Sequence, residues 1–402
     1  MVFRRGILVV CCCVMTVTVA AQRKELSQAR SYIKSGKDLE KAEKLMTDLL
    51  AKDAANRTNE RIYQTWFEAV AKQYEAANEK LYLHQQYDTA AFFGLTRRLY
   101  AIGGTLDSLE AKPDNKGRVK LKNRERHAEL LDRLRPNLYF GGTFFFRKGD
   151  YVRAYDFFNT YITADSLPLF TGYHYMQHDT RIPEAAFWAV SCGNKLQDTA
   201  KVLQYHSLAL RYEAMASYTL QYVCEARHQQ GQIETYLATL KEGFRRFPAH
   251  PYFFPRLIDY YMDCQQPDSA LAVADQALQT DADNQLFLLA KSMTLLNMER
   301  YDECIIVSQR LIALNDTISD AYFNVATSYL NKAFELEQKA SSRKQKATIK
   351  NLYEKARPYM ETYRRLMPEE REKWAPGLYR IYLNLNLGKQ FEEIDRVMKK
   401  LP

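Results

Sequence analysis

The sequence predicts an all-α chain built as a stack of about nine helical hairpins, and three observations support that fold class. Helix formers dominate the 402 residues, whereas Gly and Pro number only 15 and 12, a composition suited to long helical stretches. Runs of alternating Val, Ile and Thr, the mark of half-buried strands, are missing after about the first twenty residues. Two consecutive blocks, 251–284 and 285–318, repeat one pattern of large and small positions, and self-similarity at such a period signals a repeat architecture.

Taken from the N-terminus, Arg4 and Arg5 precede an apolar stretch from Ile7 to about Val19, which ends in Val19-Ala20-Ala21 before Gln22. A cationic lead, an apolar centre and small residues before the cut form a secretory signal. Residues 1–21 are therefore expected to be removed near Ala21-Gln22, leaving a periplasmic or otherwise exported chain. Cys11, Cys12 and Cys13 follow Leu8-Val9-Val10 rather than the small residue that a lipid-attachment site needs. Crossing a bilayer takes about twenty apolar residues, and the mature chain is expected to hold no such span.

The hairpins follow in order. The first runs from Tyr32-Ile33-Lys34-Ser35-Gly36 through Ala42, and the second from Tyr74 through Ala90. The third, 136–165, carries Leu138, Gly141-Gly142, Phe145, a Gly149-Asp150-Tyr151 turn, Ala154, Phe158 and Tyr161. The fourth spans 186–209. The fifth ends at Pro248 with Gly231 in its turn, and Tyr236 stands where a small residue is wanted, so looser packing is expected there. The block 251–284 places Phe254, Ile258, Tyr261, Ala270, Ala274 and Ala277 at offsets 4, 8, 11, 20, 24 and 27. The block 285–318 places Leu288, Ser292, Leu295, Cys304, Ser308 and Leu311 at the same offsets. An eighth unit begins at Asp320 and resumes at 356–368, and a ninth runs from Trp374 to Leu401. Single hairpins cannot bury both apolar faces, so stacking is required. Small residues at Gly142, Ala154 and Ala270 are expected where two helices approach closely.

The period and these residues resemble the tetratricopeptide repeat, with Gln22 at the new N-terminus suggesting similarity to exported bacterial, Bacteroidetes-like members. That resemblance implies a right-handed α-α superhelix whose ligand lies in a groove lined by the first helix of each hairpin. Carried onto this chain, the groove positions are Tyr139, Thr143, Phe146 and Arg147, then Tyr218, Gln221, Glu225, His228 and Gln229. They continue with Tyr252, Asp259, Met262 and Asp263, then Leu289, Met293 and Asn297, then Phe323, Thr327 and Asn331. Aromatic, amide and single charged groups suit a peptide or protein segment. The family's Lys and Asn clamp for chaperone tails is not reproduced.

Three insertions interrupt the array, dividing it into 22–135 and 136–402. Residues 112–126 form a basic loop, either a solvated linker or a grip for an acidic partner or lipid headgroup at the envelope surface. Residues 166–183 crowd Leu169, Phe170, Tyr173, His174, Tyr175, Met176 and His178 together, either to pack on the array or to recognise a partner. The 333–350 insertion is expected to extend a hairpin, with a basic tip at Ser341-Ser342 decorated by Lys339, Arg343, Lys344, Lys346 and Lys350.

The formal charge of +9 raises nucleic-acid binding, but Lys and Arg mostly alternate with Asp and Glu as on solvated helix faces; no nucleic acid is expected. Four cysteines remain after the signal, Cys192, Cys224, Cys264 and Cys304. Their spacing follows the repeat and no Cys-x-x-Cys pair occurs, so packed free thiols are expected. Nucleophile-elbow, zinc-protease, phosphate-loop and dinucleotide motifs are lacking, and no metal or cofactor is anticipated. The expected function is a non-enzymatic interaction scaffold of the cell envelope, the alternative being an envelope carbohydrate- or nutrient-binding protein.

Overall fold

The computed structural model describes residues 22–338 and 342–401, and among these all regular structure is helical. The expected signal, Lys339 and Ser341 lie outside the described residues. Helix α1 (22–35) pairs with α2 (Leu39–Lys52), and α3 (Glu60–Tyr82) with α4 (Thr89–Glu110). A lone helix, α5 (Arg124–Leu134), precedes the pair α6 (Pro136–Arg147) and α7 (Tyr151–Thr163). One-turn α8 (Tyr175–His178) leads to α9 (Ile182–Lys195), α10 (Thr199–Gln204) and α11 (His206–Ala209), the last two being a second helix broken at Tyr205. Next come α12 (Ala216–Gln229), α13 (Ile233–Arg246), α14 (Phe253–Asp263), α15 (Pro267–Thr280), α16 (Gln285–Asn297) and α17 (Tyr301–Leu314). The chain finishes with α18 (Ser319–Glu337), α19 (Arg343–Leu366), α20 (Arg371–Asn384) and α21 (Gly388–Met398).

Compactness divides the chain after Gln232, so the 135/136 division drawn from the sequence falls inside the first unit. Within the first unit, α4 touches α6, α7 touches α9, and α6 touches α9. Within the second, every helix packs on the next, and the leading helices meet in order, α14 on α16, α16 on α18, α18 on α20. Contacts restricted to near neighbours in sequence are the signature of a solenoid.

One turn device recurs. A left-handed residue ends the leading helix at Gly36, His84, Gly149, Gln197, Gly231, Gln265, Glu299 and Asn386. At most of these the next residue's N–H reaches back to a carbonyl five residues earlier, as in Asp150 to Phe145 and Arg300 to Leu295, at 3.0 and 2.9 Å. Both bonds satisfy carbonyls left over at the helix end. Asp88, Asp150 and Asp198 then cap the following helices, setting a carboxylate at each positive end.

The repeat register predicts the core. Leu288, Ser292, Leu295, Cys304, Ser308 and Leu311 are all buried. In the preceding hairpin Phe254, Tyr261, Ala270, Ala274 and Ala277 are buried, but Leu257 takes the core position expected of Ile258, which is half-exposed. In α6 the small residue faces a ring: a Cβ on Gly142 would stand 2.7 Å from the buried Phe158 ring. Phe158 therefore fills the space inside its own hairpin. Tyr236 is buried despite its size. Cys192, Cys224 and Cys304 are buried free thiols, and Cys264 is an exposed one.

The insertions differ in fate. The basic loop is shorter than expected, because residues from Arg124 onward form α5, whose His127, Ala128, Leu131 and Leu134 are buried. Arg124 is held by two bonds to Asp107, at 2.7 and 2.9 Å, so its charge is committed to the fold. The aromatic segment packs on the array: Leu169, Phe170 and Tyr175 are buried, and Tyr175 donates to Asp132 at 2.7 Å. Arg135 lies between the Tyr161 and Tyr175 rings, 3.8 and 4.0 Å away, and pairs with Asp179. The third insertion lengthens α18 and α19 to 19 and 24 residues. Part of that extension is not free: Tyr353 donates to Glu337 at 2.7 Å, and Arg380 of α20 lies 4.8 Å from the Phe334 ring.

Candidate functional site

In the second unit the leading helices align so that residues of α16, α18 and α20 border one cleft of about 330 Å³. Met293, Leu296 and Asn297 come from α16, Asp320, Phe323 and Asn324 from α18, and Lys373 from α20. Three groove residues expected from the sequence, Met293, Asn297 and Phe323, thus meet in one place. Phe323 is backed by the Tyr363 ring at 5.0 Å, which fixes it as an aromatic wall. Met293 is 53% exposed, a flexible apolar side chain left at the surface. Asn297 is exposed beside it, an amide able to donate and accept.

Beneath the cleft runs a buried polar chain. Asn324 donates to the Ser292 hydroxyl at 2.9 Å, and the Cys304 thiol points to the Ser292 carbonyl at 3.2 Å. Burial raises the Cys304 pKa, so this sulfur is a packed thiol rather than a nucleophile. At the rim Lys373 pairs with Glu370 at 3.1 Å. That hydrogen bond, together with Tyr363, raises its pKa and keeps it charged. The cleft therefore offers an apolar wall, an amide and mixed charges.

Leu296, Asp320, Asn324 and Lys373 were missed by sequence reasoning. Asp320 stands one turn before Phe323 on α18, whereas Lys373, near the start of α20, reaches Phe323 only through the stacking. Other expected positions lie elsewhere. Thr327 and Asn331 sit half-buried further along α18, and Leu289 is half-buried on α16. Tyr252 is 7% exposed, its backbone carbonyl accepting from Arg256 at 3.3 Å while the guanidinium covers its ring. Asp259 and Asp263 are exposed and Met262 half-exposed.

In the first unit Tyr139 is 8% exposed and packs on Phe158 and Tyr161. Phe146 lies against Trp188 of α9, centroids 4.9 Å apart. Both rings serve the packing of α6, and Phe140 is the aromatic that α6 exposes. Thr143 is half-buried and Arg147 exposed. On α12, Tyr218, His228 and Gln229 are exposed, and Gln221 bonds Glu225 at 3.0 Å.

Among the described residues no group of three His, Cys, Asp or Glu could hold a metal; His174 and His178 are both exposed, with ring centroids 6.3 Å apart. Among those residues, too, no helix is long and apolar enough to cross a membrane.

No family model matches the chain, and no curated protein matches it. Solved structures do. The C-terminal part of a TPR repeat-containing protein from Cytophaga hutchinsonii aligns at 12% identity and a TM-score of 0.43, covering 64% of this chain and 92% of that one. YrrB, described as a TPR protein with an unusual peptide-binding site, aligns at 13% identity and a TM-score of 0.35, covering 48% and 91%. The P58(IPK) TPR domain aligns at 14% identity and a TM-score of 0.29, covering 91% and 99%. All three scores are low, and the solenoid stands on the stacking of this chain's own helices.

Proposed function

We propose that this protein is a non-enzymatic scaffold that holds an extended segment of a protein partner across the leading helices α16, α18 and α20. The observation that carries the proposal is the cleft joining Met293, Asn297 and Phe323. An apolar side chain of the segment sits against Met293 and Phe323, and Asn297 bonds its backbone, the combination by which extended peptides are recognised. YrrB, a fold relative by its helices, is described by its peptide-binding site, and the same class of ligand suits the cleft here. The cationic lead, apolar stretch and small residues before Gln22 support an exported chain with a partner in the bacterial envelope, and on that reading N-terminal sequencing of the protein from its host should begin at Gln22.

The test is selection from a random-peptide library on the immobilised full chain. Enriched peptides should share an apolar anchor and lose at least about tenfold in affinity when Met293→Asp is introduced, a charge set against an apolar contact. An unenriched library, or peptides that bind the variant equally well, would remove the proposal.

A further inference from the structure

Helices α18 and α19 run to 19 and 24 residues beside the 14 of α20, and a cleft of about 320 Å³ opens where α20 stops at Asn384. Buried Ile349 and Tyr353 form its apolar side. Exposed Lys346, Lys350 and Asn384 border it together with Glu337.

The charge here is poorly matched to the fold. Arg343, Lys346 and Lys350 follow at steps of three and four residues, which sets three cations along one stripe of α19. Like charges at those steps destabilise a helix, and cations at its positive end add to the cost. The first acidic residue of α19 is Glu354, which Lys350 approaches only to 3.9 Å. Among the described residues Arg343 and Lys346 have no ion-pair partner. The repulsion is not offset inside the chain, so an anion from outside is favoured.

Glu337 narrows the choice of anion. Its carboxylate accepts from Tyr353 at 2.7 Å and from Arg380 at 3.4 Å, and it keeps lone pairs for further donors. Asn384 donates an amide N–H to the Arg380 carbonyl at 2.9 Å, while its oxygen remains an acceptor. A phosphate or a sheet of anionic lipid meets Glu337 as a like charge. An acidic polypeptide brings carboxylates for the lysines and backbone N–H groups for Glu337 and Asn384.

We propose that the cleft between α19 and the end of α20 holds an acidic segment of a partner polypeptide, its carboxylates on Arg343, Lys346 and Lys350. The site shares no residue with the cleft around Phe323, so either can fail alone.

The test follows the fluorescence anisotropy of a fluorescein-labelled hexaglutamate peptide titrated with the full chain in dilute salt. Saturable binding is expected, with labelled hexaglutamine unbound. Lys346→Gln combined with Lys350→Gln should weaken binding at least about tenfold. Lys112→Gln combined with Lys116→Gln removes the same charge from another exposed segment and should change affinity by less than about twofold. Asn384→Asp keeps every lysine but adds a carboxylate to the cleft, and should weaken binding by about threefold. No saturable binding, equal binding of hexaglutamine, equal losses from the two lysine pairs, or full affinity in Asn384→Asp would each overturn the proposal. So would vesicles of phosphatidylglycerol that capture the chain through Lys346 and Lys350 while the peptide stays free.

Discussion

Gly243 offers a sharp test of the close approach between α13 and α14. A Cβ placed on it would stand 2.3, 2.4 and 2.6 Å from three atoms of the Phe253 ring, whereas carbons in contact settle at about 3.5 to 4.0 Å. The ring must therefore retreat by about 1 Å. It is fully buried, with the Tyr252 ring edge-on at 5.4 Å and the His250 ring at 5.1 Å, so its neighbours must move too. Overpacking of this kind costs about 1 to 3 kcal/mol, and replacing a mid-helix Gly by Ala returns about 1 kcal/mol. With so tight a contact the upper part of the range applies, and Gly243→Ala should lose about 1 to 2 kcal/mol net. Gly94, inside α4, is the control: a Cβ there meets nothing within 4 Å, so Gly94→Ala should gain up to about 1 kcal/mol. Urea denaturation followed by far-ultraviolet circular dichroism measures both. Equal shifts of the same sign in the two variants would refute the packing assigned to α13 and α14.

Three further outcomes are expected. Ala154→Leu and Ala270→Leu, both at fully buried positions, should each destabilise by about 1 to 3 kcal/mol; an unchanged or raised melting temperature in both would contradict the register. Glu299 holds a left-handed conformation with φ 59° that disfavours residues with a Cβ, so Glu299→Gly should stabilise by about 0.5 to 1 kcal/mol in the same denaturation assay. Burial alone would raise the Asp179 pKa, but hydrogen bonds from Tyr161 and Arg135 hold it below the ordinary 3.8. Its contribution is thus fully present above about pH 4 and lost as pH falls through the lowered value. Asp179→Asn should cost on the order of 3 kcal/mol at neutral pH and flatten stability measured across the acid limb.

The hairpins were legible in the sequence because their helices hide apolar faces at a fixed period, and Leu288 through Leu311 show the period kept residue by residue. The turns were legible only where glycine marks them. His84, Gln197, Gln265, Glu299 and Asn386 adopt the same left-handed turn without a residue type that announces it. Helix α5 was hidden for a related reason: Lys112 to Arg126 reads as one basic run, yet the apolar stripe from His127 to Leu134 belongs to a helix that begins inside that run. The aromatic segment left two readings open because its packing depends on Tyr100, Asp132 and Arg135, which are distant in sequence. The groove was half legible. Helix position placed Met293, Asn297 and Phe323 on one face, but whether a ring faces solvent depends on its neighbours, and Tyr139, Phe146 and Tyr252 are held in packing. Lys373 joins the cleft from another hairpin, a juxtaposition only stacking creates.

The most direct test of the functional account is photo-crosslinking in the native host from two exposed apolar positions on adjacent helices. Met293 lies in the cleft on α16, and Ile306, 67% exposed, lies on the trailing helix α17. A photoreactive residue at 293 should capture a discrete partner polypeptide, with none captured from 306. Equal capture at both positions, or capture from 306 alone, would contradict a binding surface on the leading helices.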